Sequence, residues 1–268
     1  MSVARQTVRV YDVLASSPDD IARLRAEMMS LQVLNYQSAD GAAAPETRQR
    51  LESYVSRVLS VGPDRLHSGL AIVYEGGRPI STVHGYIDRV PVGDRAVRVI
   101  FGNFNTAPSH RGQKVTMRAV QASFISAMRS YATSRMPCYV SAVAMSPVLY
   151  KMCHAALKHT YPSPYARPTD EMLAVFDAVY PGARDNGGLV RMPVATALEA
   201  RGRRYIEETD DPFIRYFVER NPEFEQGWAL PFIARFRSTD AAYAATTILR
   251  RAARRRIQHA KESFRVRD

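Results

Sequence analysis

The chain has 268 residues, 46% of them hydrophobic and 24% charged, with a formal net charge of +11. That is the composition of a soluble globular protein, and no apolar run approaches the ~20 residues needed to span a bilayer. Two cysteines, Cys138 and Cys153, make neither a disulfide framework nor a metal-ligand set, and the first residues lack the apolar block of a secretion signal, so a reducing cytoplasm is expected.

The predicted elements begin with a strand at "TVRVYDVL", where apolar and polar residues alternate. A helix follows from "SSPDD", with Ser17 as N-cap, Pro18 in the first turn and early acids. "PETRQRLESYVSRVLS" reads as a second helix. Two strands then flank a turn at Glu75-Gly76-Gly77, and a fourth, "RAVRVIFGNFNTAP", follows a turn at Val92 to Asp94. Met117, Val120, Phe124, Ala127 and Tyr131 recur at spacings of three and four, which predicts an amphipathic helix running to about Ser134. "MPCYVSAVAM" has the apolar, β-branched character of a buried fifth strand. The next helix, "SPVLYKMCHAALKH", starts with Ser146 as cap and Pro147 just inside.

Beyond Thr169 the pattern is less regular. "DEMLAVFDAVYPG" reads as a helix, "GGLVRMPV" as a strand, and "DPFIRYFVERNPEF" as a short helix capped by Asp211 and stopped at Asn221-Pro222. A long basic helix is predicted from about residue 239 onward, with Arg250, Arg251, Arg254 and Arg255 outward. The order predicts a mixed α/β layer rather than repeated βαβ units. The chain divides into a core over residues 1–168 and a helical C-terminal extension over residues 169–268, packed on that core.

The charge is unevenly placed. Between Arg95 and Thr169 there are ten Lys/Arg and no Asp or Glu. Residues 241–268 carry eight Lys/Arg against Glu262 and Asp268. Such concentration favours an anionic partner. The stretch "NTAPSHRGQKVTMRAV" sits inside the carboxylate-free region, between the fourth strand and the helix. A helix N-terminus offers unpaired N–H groups and the positive end of the dipole to an anion. Arg111 adds a planar charged donor, Gly112 permits close approach of backbone, and Lys114 adds a second charge.

In element order, and in "NFNTAPSHRGQKVT" and "SAVAMSPVLYKMCHAAL", residues 5–165 resemble the GNAT acyltransferase superfamily. The resemblance implies a mixed, mostly antiparallel sheet flanked by helices, with a fourth strand that splays from the fifth. It implies an acyl-CoA, acetyl-CoA or a longer one, bound in the gap, its arm on Phe104, Asn105 and Thr106. The pyrophosphate would then lie on the loop Arg111-Gly112-Gln113-Lys114-Val115-Thr116. That loop is degenerate, because Lys114 stands where the family has a glycine and Thr116 where it has a small residue. Tyr150, on the first turn of the helix after the fifth strand, takes the place of a tyrosine that protonates the departing thiolate; a contact into the core is the competing reading.

No general base is assigned. Asp88 and His84 flank the fourth strand, and Glu207, Glu208, Asp210 and Asp211 form an acidic cluster further on. The six His and two Cys show no metal-ligand spacing, and there is no P-loop, GxSxG or zinc-finger pattern. The leading expectation is an N-acyltransferase acting on an amine in a ternary complex. An acyl carrier protein as donor is a second, suited to the basic middle region. A non-catalytic binding protein of the same shape is a third, with nucleic acid disfavoured because no aromatic residue interleaves the basic run.

Overall fold

The structure is a computed structural model that describes residues 6–35, 45–111, 115–116, 119–120, 136–157, 159–192 and 200–237. Among them are eight strands and six α-helices. The strands are β1 (Gln6–Asp12), β2 (Arg65–Glu75), β3 (Arg78–Val92), β4 (Arg95–Thr106), β5 (Cys138–Ala144), β6 (Thr160–Tyr161), β7 (Val190–Arg191) and β8 (Trp228–Phe236). The helices are α1 (Pro18–Asn35), α2 (Pro45–Val58), α3 (Pro147–Ala156), α4 (Asp170–Val179), α5 (Ala200–Glu208) and α6 (Pro212–Arg220).

The sheet runs β1-β2-β3-β4-β5-β8-β6, with β7 against β8. The first four strands form an antiparallel meander. Its β2–β3 hairpin turns at Gly76 and Gly77, where φ is +56° and +80°, a conformation that costs a glycine little. The β4–β5 pair is parallel, and β8 returns antiparallel to β5. The fold is therefore a mixed α/β layer whose sheet is mostly antiparallel, as the element order predicts.

Alternation along the strands supplies two buried faces. On one, α1 and α2 cover Leu70, Ile72 and Tyr74 of β2. Further along the same face, α4 covers Val97, Val99, Tyr139 and Ile233. On the other, Val115 and Ala119 pack on Ala71, Val73, Ile80 and Val83. Beside them α3 and α6 bury Tyr150 and Phe217 against Leu230 and Phe232. The Ser146 hydroxyl caps α3 by accepting from Leu149 N–H, and Asp211 caps α6 by accepting from Phe213 and Ile214.

Three elements were not anticipated: β6, α5 and β8. The last matters most, because this strand from beyond residue 168 lies between β5 and β6. Its proline, Pro231, pairs across from Val143. On the other edge it falls in the gap between β7 at Trp228 and Ala229 and β6 at Ile233 and Ala234, where no ladder bond is required of it. Of the predicted "GGLVRMPV" strand, the described part contains the two residues of β7, and Pro193 and Val194 lie outside the described residues. Most of the helix after β4 and the basic C-terminal helix, with Arg250, Arg251, Arg254 and Arg255, lie outside the described residues. No helix among the described residues is long and apolar enough to cross a membrane.

Candidate functional site

The site is built on the way β4 and β5 separate. They pair from Arg98 with Cys138 to Phe101 with Ser141, and no further. Past that point β4 continues to Thr106 bonded to β3, and β5 continues to Ala144 bonded to β8. Each strand is committed on its outer side, so the two diverge and open a fork. The edge of β4 over residues 102–106 faces that gap, with no strand beside it among the described residues. Backbone N–H and C=O groups on such an edge take water or an extended ligand as partner.

Gly102, the first β4 residue past the last pair, leaves this edge bare. A Cβ placed there would have nothing within 4 Å, and the backbone does not have the positive φ that demands glycine. Neither backbone conformation nor a neighbouring atom therefore requires a glycine at this position. Asn103 and Asn105 alternate with Gly102, Phe104 and Thr106 along the edge, and Phe104 is 45% exposed.

Asn35, the last residue of α1, ties this edge to the loop that follows it. Its side-chain amide donates to Asn105 Oδ1 at 2.5 Å and to the Leu31 carbonyl at 2.8 Å. Its Oδ1 accepts from Arg111 Nη2 at 2.5 Å. The Arg111 guanidinium is thus held beside the fork stretch. A short turn at Pro108–His110 leads from β4 to it. His110 fixes that turn by bonding to Glu75 at 3.0 Å and Ser109 at 2.9 Å. Bonds from Gln6 and then His110 hold the Glu75 carboxyl below its usual range.

Of the predicted loop, Gly112, Gln113 and Lys114 lie outside the described residues. Val115 spends its side chain in the core cluster and retains only backbone for a ligand. The Thr116 hydroxyl bonds to Thr106 at 2.6 Å, and Thr106 bonds to Ser81 at 2.9 Å. This hydroxyl chain turns Thr116 toward the sheet, so its bulk lies against β4.

Tyr150 lies elsewhere. It is fully buried, and its hydroxyl donates to the Pro162 carbonyl at 2.7 Å. Its ring meets His154 at 4.3 Å, Phe217 at 5.7 Å and Tyr216 at 6.1 Å. Burial pushes the phenol up, so it stays protonated.

The other titratable groups near the fork are also engaged. Asp88 accepts from Arg65 Nε at 2.5 Å, and burial raises its carboxyl against the pull of that guanidinium. His84, opposite Asn103, bonds through Nε2 to the Ser68 hydroxyl at 2.8 Å. Its burial pushes the imidazole down to about 3. Burial likewise raises Cys138 to about 11 and Cys153 to about 12, so neither is a thiolate at neutral pH. In the acidic cluster, Asp211 caps α6 and pairs with Lys151 at 2.8 Å, while Asp210 pairs with Arg215. No group of three metal-binding side chains occurs among the described residues.

The fork thus brings together Phe104, Asn105, Thr106, Arg111 and Thr116, and leaves Tyr150 in the core behind β5. Sequence reasoning missed Asn35 and Gly102. Only Gly102 had a local signal, a glycine inside a strand.

No family model matches the chain, and no curated protein matches it. Solved structures similar to it include a predicted acetyltransferase from Clostridium acetobutylicum with acetyl-CoA. That protein is 16% identical, over 62% of this chain and 93% of its own, at a TM-score of 0.38. An aminoglycoside N-acetyltransferase in complex with CoA is 15% identical, over 61% of this chain and 95% of its own, at 0.35. A probable N-acyltransferase from Enterococcus faecalis is 14% identical over 55% of this chain, at 0.34. The chain spans 31% of that protein's length.

Proposed function

We propose that the chain is an acyl-CoA-dependent N-acyltransferase of the GNAT kind. The observation that carries this reading is the fork, with its bare β4 edge ending at Gly102. An extended arm that contains amides can add to that edge as a short strand would, its amide groups meeting those of residues 102–106. Asn105 and Asn35 line the route, and Arg111 offers a planar charged donor where the arm's diphosphate leaves the fork. The strand order and the splay of β4 from β5 agree with what the resemblance implies.

In the reaction an amine nitrogen bonds to the thioester carbonyl carbon, the C–S bond breaks, and the sulfur leaves with its electron pair. Backbone N–H groups on the β4 edge polarise the carbonyl. Tyr150 carries its proton on a hydroxyl already given to Pro162, so we assign it the support of α3. A thiol with a pKa near ~8.5, the free cysteine value, can leave as thiolate; the proton that the attacking nitrogen sheds passes to water, and water returns one to the sulfur. The amine arrives neutral, since Asp88 and His84 are both engaged.

Titration calorimetry with acetyl-CoA tests the reading: saturable heat is expected, and no heat with acetyl-CoA or CoA overturns it. The engagement of those groups favours one other reading, an acyl-CoA-binding protein without turnover. Binding with no thioester consumed across a panel of primary amines at pH 9 would select it.

A further inference from the structure

We propose that Tyr180 restricts the group carried at the tip of the fork to a short acyl chain, a specificity role that rests on the acyl-donor reading above. Tyr180 lies just past α4, in the connection between α4 and β7, outside the strands that make the fork. Its hydroxyl nevertheless bonds to Ser141 Oγ at 2.6 Å and donates to the Ala142 carbonyl at 3.1 Å. Ser141 is the last β5 residue paired with β4, and Ala142 is the first beyond. The phenol therefore sits at the tip itself. Phe176 meets its ring at 5.4 Å, and on the same face Phe101 stacks on Tyr86 at 4.8 Å. These rings wall the tip on the face covered by α4.

The remaining sides define how much room is left. Hydrogen bonding between β4 and β5 closes the end of the fork. On the opposite face Ala142 is backed by the cluster that contains Phe232. Gly102 leaves open space beside β4, which the arm itself would take. An acyl group entering along β4 then points its chain at Tyr180. One methyl beyond the carbonyl fits in front of the ring, whereas a medium-length chain must displace it from two hydrogen bonds and from Phe176.

Calorimetry on the full chain with CoA, acetyl-CoA, butyryl-CoA and octanoyl-CoA tests this. In the wild type the Kd for octanoyl-CoA should exceed that for acetyl-CoA by at least tenfold. Tyr180→Leu, which opens the wall, should lower that ratio at least tenfold. Tyr180→Phe, which keeps the ring and loses only the hydroxyl bonds, should keep the ratio above ten. Where Tyr180→Leu does not fold by circular dichroism, Tyr180→Met, whose unbranched side chain fits irregular gaps, replaces it. Equal affinities for acetyl-CoA and octanoyl-CoA in the wild type would overturn the proposal, as would an unchanged ratio in the folded leucine or methionine variant. Heat with CoA and a flat chain-length profile sinks this inference alone. No heat with any of the four ligands sinks the donor reading along with it.

Discussion

The two strands of the fork leave their parallel pairing at the same point but into opposite surroundings. Past Phe101, β4 presents a bare edge with Gly102 at its start and two asparagines along it. Past Ser141, β5 is bonded to β8 and backed by the rings of Tyr150, Phe217 and Phe232. One side can accept a ligand because, among the described residues, no strand pairs with the edge of β4 that faces the fork. The other is a packed wall against which a ligand can be held. Sequence order alone would make Tyr150 a functional residue through its place after β5. The comparison shows that place to be inside the wall.

The sharpest way to break this contrast is to treat Tyr150 as though it lay on the ligand side. Tyr150→Ala empties a large volume from a fully buried cluster and should destabilise the fold by about 3–5 kcal/mol in urea unfolding. Tyr150→Phe keeps the ring and leaves the Pro162 carbonyl without its donor, a loss of about 1–2 kcal/mol. In a turnover assay Tyr150→Phe should keep kcat within threefold. A hundredfold fall in kcat without loss of stability would instead put the phenol at the leaving thiolate.

Gly102→Val reverses the experiment on the β4 side. The backbone there suits any residue, and a Cβ meets nothing within 4 Å. Valine favours a strand more than glycine does, so stability should hold or rise by up to ~1 kcal/mol. The added side chain fills the approach to the bare edge. Affinity for acetyl-CoA should fall at least about a hundredfold, about 2.8 kcal/mol. A variant that is folded and still binds would show that the arm does not follow this edge.

Each side also carries a histidine, buried at His84 and half-buried at His154, which gives a comparison in pH. Burial lowers His84, beneath the β4 stretch, to about 3, and His154, tilted against the Tyr150 ring, to about 4. Both are held neutral in the folded chain, while an unfolded histidine titrates near 6.5. The unfolded state therefore binds more protons below that pH, and stability drops as pH falls from 6.5 toward the folded values. The slope approaches about 1.4 kcal/mol per pH unit for each such histidine. His84→Gln, which can still bond Ser68, should reduce the stability lost between pH 7 and pH 5 by about 1–2 kcal/mol. If acid sensitivity survives that change intact, His84 is not neutral in the fold, and the floor of the β4 side is wetter than its burial indicates.

How much of this was legible in the sequence follows from which partners are local. Strand β1 announces itself by alternation, β2 to β4 by the turns between them and β5 by its apolar, β-branched run, and the α3 and α6 caps by Ser146-Pro147 and Asp211-Pro212. In β8 a proline interrupts an apolar run that could equally have been helix, and its partner β5 lies about ninety residues earlier. The fork depends on which neighbour occupies the far edge of each strand, so it could be expected only through the resemblance. Phe104, Asn105 and Thr106, at the end of β4, and Arg111, on the turn after it, could be named through the resemblance by their position in the chain alone. Asn35 was not, since it meets Asn105 and Arg111 across separations of 70 and 76 residues. Tyr180 is hidden for the same reason, in a connection that carries no motif.

Asn35 provides the finest distinction between the two sides, because it belongs to the β4 side without lying on it. As a mere end-cap of α1 it would matter only through its bond to Leu31. As a positioning residue it holds Arg111 and Asn105 together beside the arm's route. Asn35→Ala removes both functions and should weaken acetyl-CoA about fivefold, about 1 kcal/mol. Asn35→Asp loses the amide donor as well, but its carboxylate would pair with Arg111 and offset the charge offered to the diphosphate. The aspartate variant should therefore bind several-fold more weakly than the alanine variant, with the gap narrowing as salt is raised. Equal losses in the two would reduce Asn35 to a helix cap. A larger loss in the aspartate would show that the Arg111 charge is what the α1 terminus holds in place.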